Sequence, residues 1–519
     1  MFNQAPEQGS YNAFARNLPL QEAFGRLDAG SLQGRIESVG DVAGSEEARY
    51  HAECTDRTPP ILHRYDQWGN RVDKVERSAS WHWLVDKTIE FDLHAMTTRP
   101  ENKAAHAARA AMVMTWGEVS LPTICPQSAN YSIVPALAKD PVLSRQWIPQ
   151  LVTMDRSQLV LAAASLTERQ GGSDVRQTST VAQRQQDGTY LLNGLKWFVT
   201  CPWAEVMLVL ARAPDGLTSF VVDSRQEGFR IERLKDKLGW HGLGVGEVEL
   251  RDVQAQRLGD EGRGVGTIMQ MITYTRLDVM LEGVASLRTG VVRSIHHARH
   301  RSVLGKTLDQ HPLMQNVLAD LALESEAATQ AAMCIAEAYD RPGSQYQRIA
   351  LSLMKYWITK RAAPHAAEAL ECLGGNGYVE ASGMPRLLRD SVVGSVWEGS
   401  GNVAALDVLR AVRTSSEAVE EFCALCNMAR GGDRLLDAWL DATFVEMRMW
   451  STSEYAEWDA RMMAERLALA FQASLLVRHA PAAVADAFCK ARLDLRGLAY
   501  GGLARGADCG AILERAFPA

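Results

Sequence analysis

Strand-like sequence in this chain is concentrated in one stretch, between about Asp155 and Asp260, with helical patterns preceding and following it. Within it, Val206 to Leu210 and Phe220 to Val222 are β-branched or apolar runs, and Asp187-Gly188 and Asn193-Gly194 carry hairpin chemistry. Strands grouped in this way are incompatible with the strand-helix alternation of a doubly wound parallel sheet. Two Gly-x-Gly-x-Gly runs, Gly242-Gly244-Gly246 and Gly262-Gly264-Gly266, therefore read as turns flanking a strand at Glu247 to Leu250 and not as a dinucleotide fingerprint.

The flanks differ from each other. Met1 to about Arg77 reads as a non-helical arm, with Pro59-Pro60 and two short strand-like pieces between Ile61 and Val75 that turn at Gly69-Asn70. From Ser78 to Met154 helix formers dominate, notably Ala104 to Met114, and Pro122, Pro126, Pro135 and Pro141 punctuate them. After Gly266 the helical pattern returns and continues to the end. Pro312 can open a long helix on which Leu313, Val317 and Leu321 share a face.

With 519 residues, 47% of them apolar, the chain can bury a large core without disulfides. Its 55 Lys+Arg against 62 Asp+Glu give −7, so no global positive field is present to hold a polyanion. Met1 to Ser10 lacks a cationic segment followed by an apolar run, and no run is long enough to span a bilayer, so a cytoplasmic protein with no membrane partner is expected. Nine cysteines are scattered without framework spacing. Cys423 and Cys426 read as two half-buried cysteines on one helix, and His296, His297 and His300 as a solvated or interface face, so no metal site is expected.

Three segments could carry chemistry. Leu166 to Asp174 combines hydroxyls with Gly171-Gly172, which lets a backbone approach a phosphate or a flat ring. In Lys196-Trp197-Phe198-Val199-Thr200, strand alternation sends Trp197 and Val199 to one face and Phe198 and Thr200 to the other. Leu373 to Tyr378, followed by Trp397-Glu398-Gly399-Ser400-Gly401-Asn402, sets a carboxylate beside an aromatic ring, where partial desolvation would suit it to act as a base. Taken singly, each also fits an ordinary Gly-rich turn or core aromatics.

Together and in this order, the segments resemble the acyl-CoA dehydrogenase family over nearly the whole length, most closely its AidB-like branch, with matching text at Thr167 to Val175, Leu234 to Leu238 and Cys372 to Leu409. The resemblance implies an α+β, mostly helical fold. Its expected parts are an N-terminal arm and helical domain (1–154), a central small β-barrel domain (155–266), a C-terminal four-helix bundle (267–410) and a helical extension (411–519).

It also implies FAD as cofactor. Thr167, Ser173, Phe198, Thr200, Arg301, Gly374, Gly375, Ser400 and Asn402 then become cofactor-binding candidates, and Ser173, Arg276 and Trp397 substrate-binding ones. Phe198 stands where most members have a tryptophan, Leu304 replaces a phenylalanine of the family's R-x-x-F-G motif, and Glu371 replaces a glutamine beside the paired glycines. Glu398 matches the catalytic base. In the family's chemistry it removes an α-proton from an acyl thioester while the β-hydride passes to flavin N5 and backbone amides polarise the carbonyl.

The expected activity is therefore α,β-dehydrogenation of an acyl-CoA or carrier-protein thioester, with an electron-transfer flavoprotein or oxygen as acceptor. A cofactor shared between subunits implies a homodimer or homotetramer. The alternative is an AidB-like flavoprotein that associates with DNA. Residues 411–519 carry 12 Lys+Arg against 15 Asp+Glu, which disfavours a duplex-binding surface despite Arg492, Arg496 and Arg505.

Overall fold

The computed structural model describes residues 3–30, 32–495 and 497–518, so Arg496 lies outside the described residues. It divides into two compact units, one of Met1–Glu46, Glu101–Val119 and Arg276–Ala519, the other of Glu47–Pro100 and Ser120–Thr275.

The expected non-helical arm is instead largely helical, with α1 (Leu18–Gly25), α2 (Leu32–Ala43) and α3 (Glu46–Arg57). Asn17 caps α1 by accepting the Leu20 N–H at 3.4 Å, and Pro19 suits its first turn. Leu32, Ile36, Val39 and Ala43 form the buried stripe of α2. Helices of 8 and 12 residues are short enough for their period to be lost among the flanking Gly, Pro and Asn. The turn at Gly69-Asn70 does join β1 (Ile61–Tyr65) to β2 (Arg71–Glu76), with Gly69 at φ 87°. Next come α4 (Ala79–Glu90), α5 (Ala105–Gly117), α6 (Ile124–Leu137) and α7 (Pro141–Leu151), of which α5 belongs to the first unit.

In the second unit, β3 (Ala162–Ser165), β4 (Val181–Arg184), β5 (Tyr190–Thr200), β6 (Val206–Ala213), β7 (Gly216–Asp223), β8 (Phe229–Leu234) and β9 (Val245–Leu258) form one sheet. β4 pairs with β5, β5 with β9, β9 with β7, β7 with β6, and β6 with β4, so five strands close into a small barrel. Closure removes the open edges that a short sheet would expose. β3 adds parallel to β6, and β8 adds antiparallel to β9.

Asp187-Gly188 makes the β4–β5 turn as expected, with Gly188 at φ 85°. Asn193-Gly194 does not turn. It lies inside β5 at a register shift against β9, where a Cβ on Gly194 would stand 2.3 Å from Thr180 Oγ1. Gly246 likewise sits within β9, which is longer than the expected Glu247 to Leu250. Val206, Leu208, Leu210 and Val221 pack against Ile133, Leu137, Leu143, Trp147 and Leu151 of α6 and α7 to form the core of this unit.

α8 (Gly264–His300) carries the chain into the first unit, where the small hairpin of β10 (Ser302–Val303) and β11 (Lys306–Thr307) precedes α9 (Pro312–Ala338), α10 (Gln347–Glu371), α11 (Met384–Ser391) and α12 (Gly401–Thr414). Pro312 opens α9 as its position suggests, yet Leu313 is exposed and only Leu321 of the expected apolar trio is fully buried. Arg109 of α5 and Asp278 of α8 form a fully buried bidentate pair at 2.6 and 2.8 Å.

The extension comprises α13 (Ser416–Asn427), α14 (Arg434–Thr452), α15 (Ala460–His479), α16 (Ala482–Cys489) and α17 (Cys509–Ala516), with the central turns of α15 buried on nearly every side. Ions lock it to the bundle. Arg492 reaches Asp320 at 2.6 Å and Glu324 at 3.1 Å, while Arg515 joins Glu326 to Glu22 of α1. Burial pushes the Glu324 carboxyl up, but Arg361 and Arg492 outweigh it and hold it at about 2. Cys426 is buried and Cys423 half-buried on α13, both as free thiols. Among the described residues no helix is long and apolar enough to cross a membrane.

Candidate active site

Thr167, Ser173, Phe198 and Thr200 lie on the barrel unit. The Trp197 N–H donates to the Thr167 carbonyl at 2.9 Å, which lays the loop after β3 beside β5. Glu168 anchors that loop from below. Its carboxylate accepts from Lys196 Nζ at 2.8 Å and Thr180 Oγ1 at 2.6 Å, both buried, and from the Ser179 N–H at 2.7 Å nearer the surface. Burial raises the Glu168 carboxyl, and Lys196 and the hydroxyls more than reverse this, holding it well below the usual carboxylate range.

The alternation expected at the end of β5 is interrupted: the register against β9 shifts between Lys196 and Val199, and both of these are buried while Phe198 between them is 53% exposed. Trp197 is covered by cations, with Lys235 Nζ 3.6 Å and the Arg169 guanidinium 4.7 Å from its ring centroid. Phe198 is the more exposed of the two rings, and Lys235 Nζ also stands 4.6 Å from its centroid. The hydroxyls of Thr167 and Thr200, both half-buried, have no hydrogen-bond partner among the described residues. An open aromatic face with two uncommitted hydroxyls is a donor set that fits an isoalloxazine. Ser173 is exposed on the Gly-rich loop.

Arg276, Arg301, Gly374, Gly375, Trp397, Glu398, Ser400 and Asn402 lie on the first unit. Glu398 occupies the loop before α12 at φ 52°, a left-handed conformation that a side chain makes costly, and Gly399 follows at φ 98°. The loop is held by its carbonyls. Arg276 Nε donates to the Glu398 oxygen at 2.9 Å, and Lys355 Nζ donates to the Trp397 oxygen at 2.8 Å and to the Gly399 oxygen. Arg276 Nη1 also reaches Asp407 at 2.9 Å, and Asp407 in turn accepts from Ser352 Oγ at 2.7 Å and Arg348 Nη2 at 3.2 Å. Burial raises the Asp407 carboxyl, and Ser352, Arg348 and Arg276 bring it below its ordinary value.

The Glu398 side chain is half-buried, and its charge is felt by two buried groups. Burial pushes the Glu282 carboxyl well above the carboxylate range, with Asp278 and Glu398 adding to the effect. Burial pulls Lys355 down to about 8, assisted by Arg276 and opposed by Glu398. Ser400 stands at the N-cap position of α12, and Asn402 Oδ1 accepts from Arg461 Nε at 2.8 Å.

Arg301 and the paired glycines are brought together through the N-terminal segment. Arg301 Nη1 donates to the Asn3 carbonyl, Ser302 N–H to Asn3 Oδ1 at 2.8 Å, and Asn376 Nδ2 to Gln4 Oε1 at 2.8 Å. Gly374, at φ 58°, and Gly375 are exposed, and a Cβ at either position would meet nothing within 4 Å, so this turn presents bare backbone. His296 Nε2 pairs with the Pro6 carbonyl of the same segment at 2.9 Å, and His300 Nδ1 with the His296 carbonyl at 2.8 Å. No group of three or more His, Cys, Asp or Glu that could hold a metal ion occurs among the described residues.

Comparison with known proteins matches residues 3–156 to the adaptive response protein AidB N-terminal domain, 163–253 to the acyl-CoA dehydrogenase middle domain and 262–413 to the acyl-CoA dehydrogenase C-terminal domain. AidB of Escherichia coli (strain K12) is 33% identical over 517 residues, covering 96% of this chain and 95% of its own. The chain belongs to the acyl-CoA dehydrogenase family, in its AidB-like branch. That membership makes it an oxidoreductase.

Among solved structures, Caenorhabditis elegans ACDH-11 in complex with C11-CoA superposes with a TM-score of 0.85 at 26% identity, covering 99% of this chain and 92% of that one. An acyl-CoA dehydrogenase from Bacillus anthracis complexed with FAD shares the fold at a TM-score of 0.71 and 17% identity, covering 91% and 88%. For this acyl-CoA dehydrogenase, sequence reading singled out Glu398 and Arg276 but missed Lys355, Ser352 and Asp407. A lone lysine within the apolar run Leu351 to Ile358 was the available signal.

Proposed function

We propose that the chain is an FAD-dependent dehydrogenase that introduces a double bond between Cα and Cβ of an acyl thioester, with Glu398 as the base. The observation that carries this reading is a half-buried Glu398 on a loop whose backbone is tied down by Arg276. Bound FAD supplies the two-electron acceptor for the departing β-hydride. Phe198 would stack on its ring, the Thr167 and Thr200 hydroxyls would bond its edge, and Arg301 with the bare backbone at Gly374 and Gly375 would receive a pyrophosphate, the last from a neighbouring subunit. Ser400 and Asn402 would complete the cofactor contacts, and Ser173, Arg276 and Trp397 those to substrate.

Glu398 takes the α-proton. A half-buried position keeps water from solvating the carboxylate fully and so maintains its basicity toward a weakly acidic carbon. Arg276 fixes the loop so that the carboxylate need not reorganise during proton removal. The C11-CoA bound by the Caenorhabditis elegans neighbour supports a CoA thioester as substrate class.

The deciding experiment is anaerobic mixing of the yellow protein with a panel of acyl-CoA and acyl-carrier-protein thioesters. Bleaching of the flavin absorbance by at least one of them supports the reading. No bleaching by any, together with salt-sensitive retardation of duplex DNA, would replace it with the DNA-associating alternative.

A further inference from the structure

We propose that Lys355 is a positioning residue for Glu398, and that its buried ammonium clamps the carbonyls on either side of Glu398 to hold that residue in the conformation from which it acts. The inference rests on the reading of Glu398 as the base.

The argument begins with where the lysine lies. Lys355 sits in the middle of α10 between Met354 and Tyr356, and it is 1% exposed. An ammonium is almost never buried without a carboxylate to balance it. Lys355 forms no ion pair among the described residues. Its hydrogens go to the Trp397 oxygen at 2.8 Å and to the Gly399 oxygen, the two carbonyls that bracket Glu398. A neutral or apolar residue would fill the same place in the helix at less desolvation cost, so the charge is kept for what it does to the loop.

The loop needs such a hold. Glu398, a residue with a Cβ, stays at φ 52° only if its surroundings over-determine it. Lys355 and Arg276 between them fix the carbonyls of three successive residues, Trp397, Glu398 and Gly399. α10 also supports the loop by shape, because a Cβ on Gly394 would meet Thr359 Cγ2 at 3.2 Å, and Thr359 Oγ1 is itself oriented by the Lys355 carbonyl at 2.7 Å. Arg276 on α8 and Lys360 on α10 disfavour the charge on Lys355, and Glu398 favours it. Lys355 therefore supports the ionised form of Glu398 as well as its backbone. Glu282 acts in the opposite sense only when it ionises, and burial resists that.

The test uses Lys355→Gln in the full-length protein, with and without FAD. Without cofactor, amide hydrogen exchange across residues 396–400 is expected to rise about tenfold or more over the wild type while exchange in α15 stays unchanged. With FAD, thioester-driven bleaching is expected to slow about 10–100-fold at unchanged flavin content, and the acidic limb of its pH profile to move up.

Trp357→Phe, which removes the bond from Trp357 Nε1 to Gln472 at 3.0 Å on the same helix, is the control and should leave both readouts at wild-type values. Should Lys355→Gln fail to fold, Lys355→Arg keeps the charge but misplaces its donors. It is expected to quicken exchange at 396–400 without moving the acidic limb. Wild-type exchange at 396–400 in the folded position-355 variant, or a Trp357→Phe protein that reproduces its effects, overturns the proposal. A wild type that no thioester bleaches defeats the assignment of Glu398 alone, because the exchange measurement still decides what Lys355 does.

Discussion

Arg276 Nε donates to the Glu398 carbonyl at 2.9 Å while its Nη1 reaches Asp407 at 2.9 Å, so one guanidinium couples the loop of the candidate base to α12. A planar guanidinium aims separate nitrogens at the two acceptors, whereas a lysine at this place would offer both a single donor atom. Arg276→Lys should therefore keep the local charge, leave the fold intact and slow thioester-driven bleaching about 10–100-fold, as read by stopped-flow absorbance. Wild-type rates in that variant would show that the coupling has no kinetic role.

Glu398→Gln preserves size and polarity but removes the proton acceptor. It should bind flavin like the wild type and lose about 10²–10⁴-fold in the rate of bleaching, the usual contribution of a positioned base. Flavin content measured on the same preparation separates loss of chemistry from loss of cofactor.

Phe198 offers the more exposed of the two neighbouring rings, and its replacement by alanine should lower the retained flavin-to-protein ratio. Stacking of about 0.5–1.5 kcal/mol corresponds to weaker binding by up to about tenfold. Phe198→Trp should hold flavin at least as well. Trp197→Phe should change little, since the Trp197 ring is already occupied by Lys235 and Arg169.

His365 and Glu168 each contribute a loss of stability in acid, while Glu118 and Glu326, whose carboxyls burial pushes up to about 7, contribute in the opposite sense. Burial lowers His365, whose Nε2 bonds the Leu321 carbonyl at 3.1 Å, to about 4. The unfolded chain takes up that proton near 6.5, so stability is full above 6.5 and falls as pH drops from 6.5 to 4, by at most about 3 kcal/mol from this group. Glu168, held low by Lys196, adds a further loss as pH falls from the ordinary carboxylate value toward its own lowered one. His365→Gln should make the fall between pH 6.5 and 4 shallower in urea unfolding followed across pH, with His106, which burial also lowers to about 4, still contributing. Lys196→Met, which strands a buried carboxylate, should cost about 3–5 kcal/mol at neutral pH.

Much of this was legible in the residues. The concentration of the barrel strands in one block, the Asp187-Gly188 turn and the helix after Pro312 are local signals, and local chemistry decides them. Asn193-Gly194 misled because a dipeptide that suits a turn also suits a bulge, and only the crowding of Thr180 against Gly194 chose between the two. The first helices escaped because short amphipathic runs acquire their order from α5 and α9, far away in sequence. At the candidate site, Glu398 and Arg276 were recoverable from a motif. The Lys355 clamp was not, because its meaning depends on two carbonyls that no pattern of side chains records.

The tie from Arg515 to Glu22 bridges a separation of 493 residues, and the same arginine neutralises Glu326. While the polypeptide is being synthesised, α1 and α9 must wait, their acids unmatched, until the ribosome has delivered α17. Sealing of this unit is thus a late event along the chain, and a nascent chain halted short of that arginine would present chaperones with an unsealed bundle.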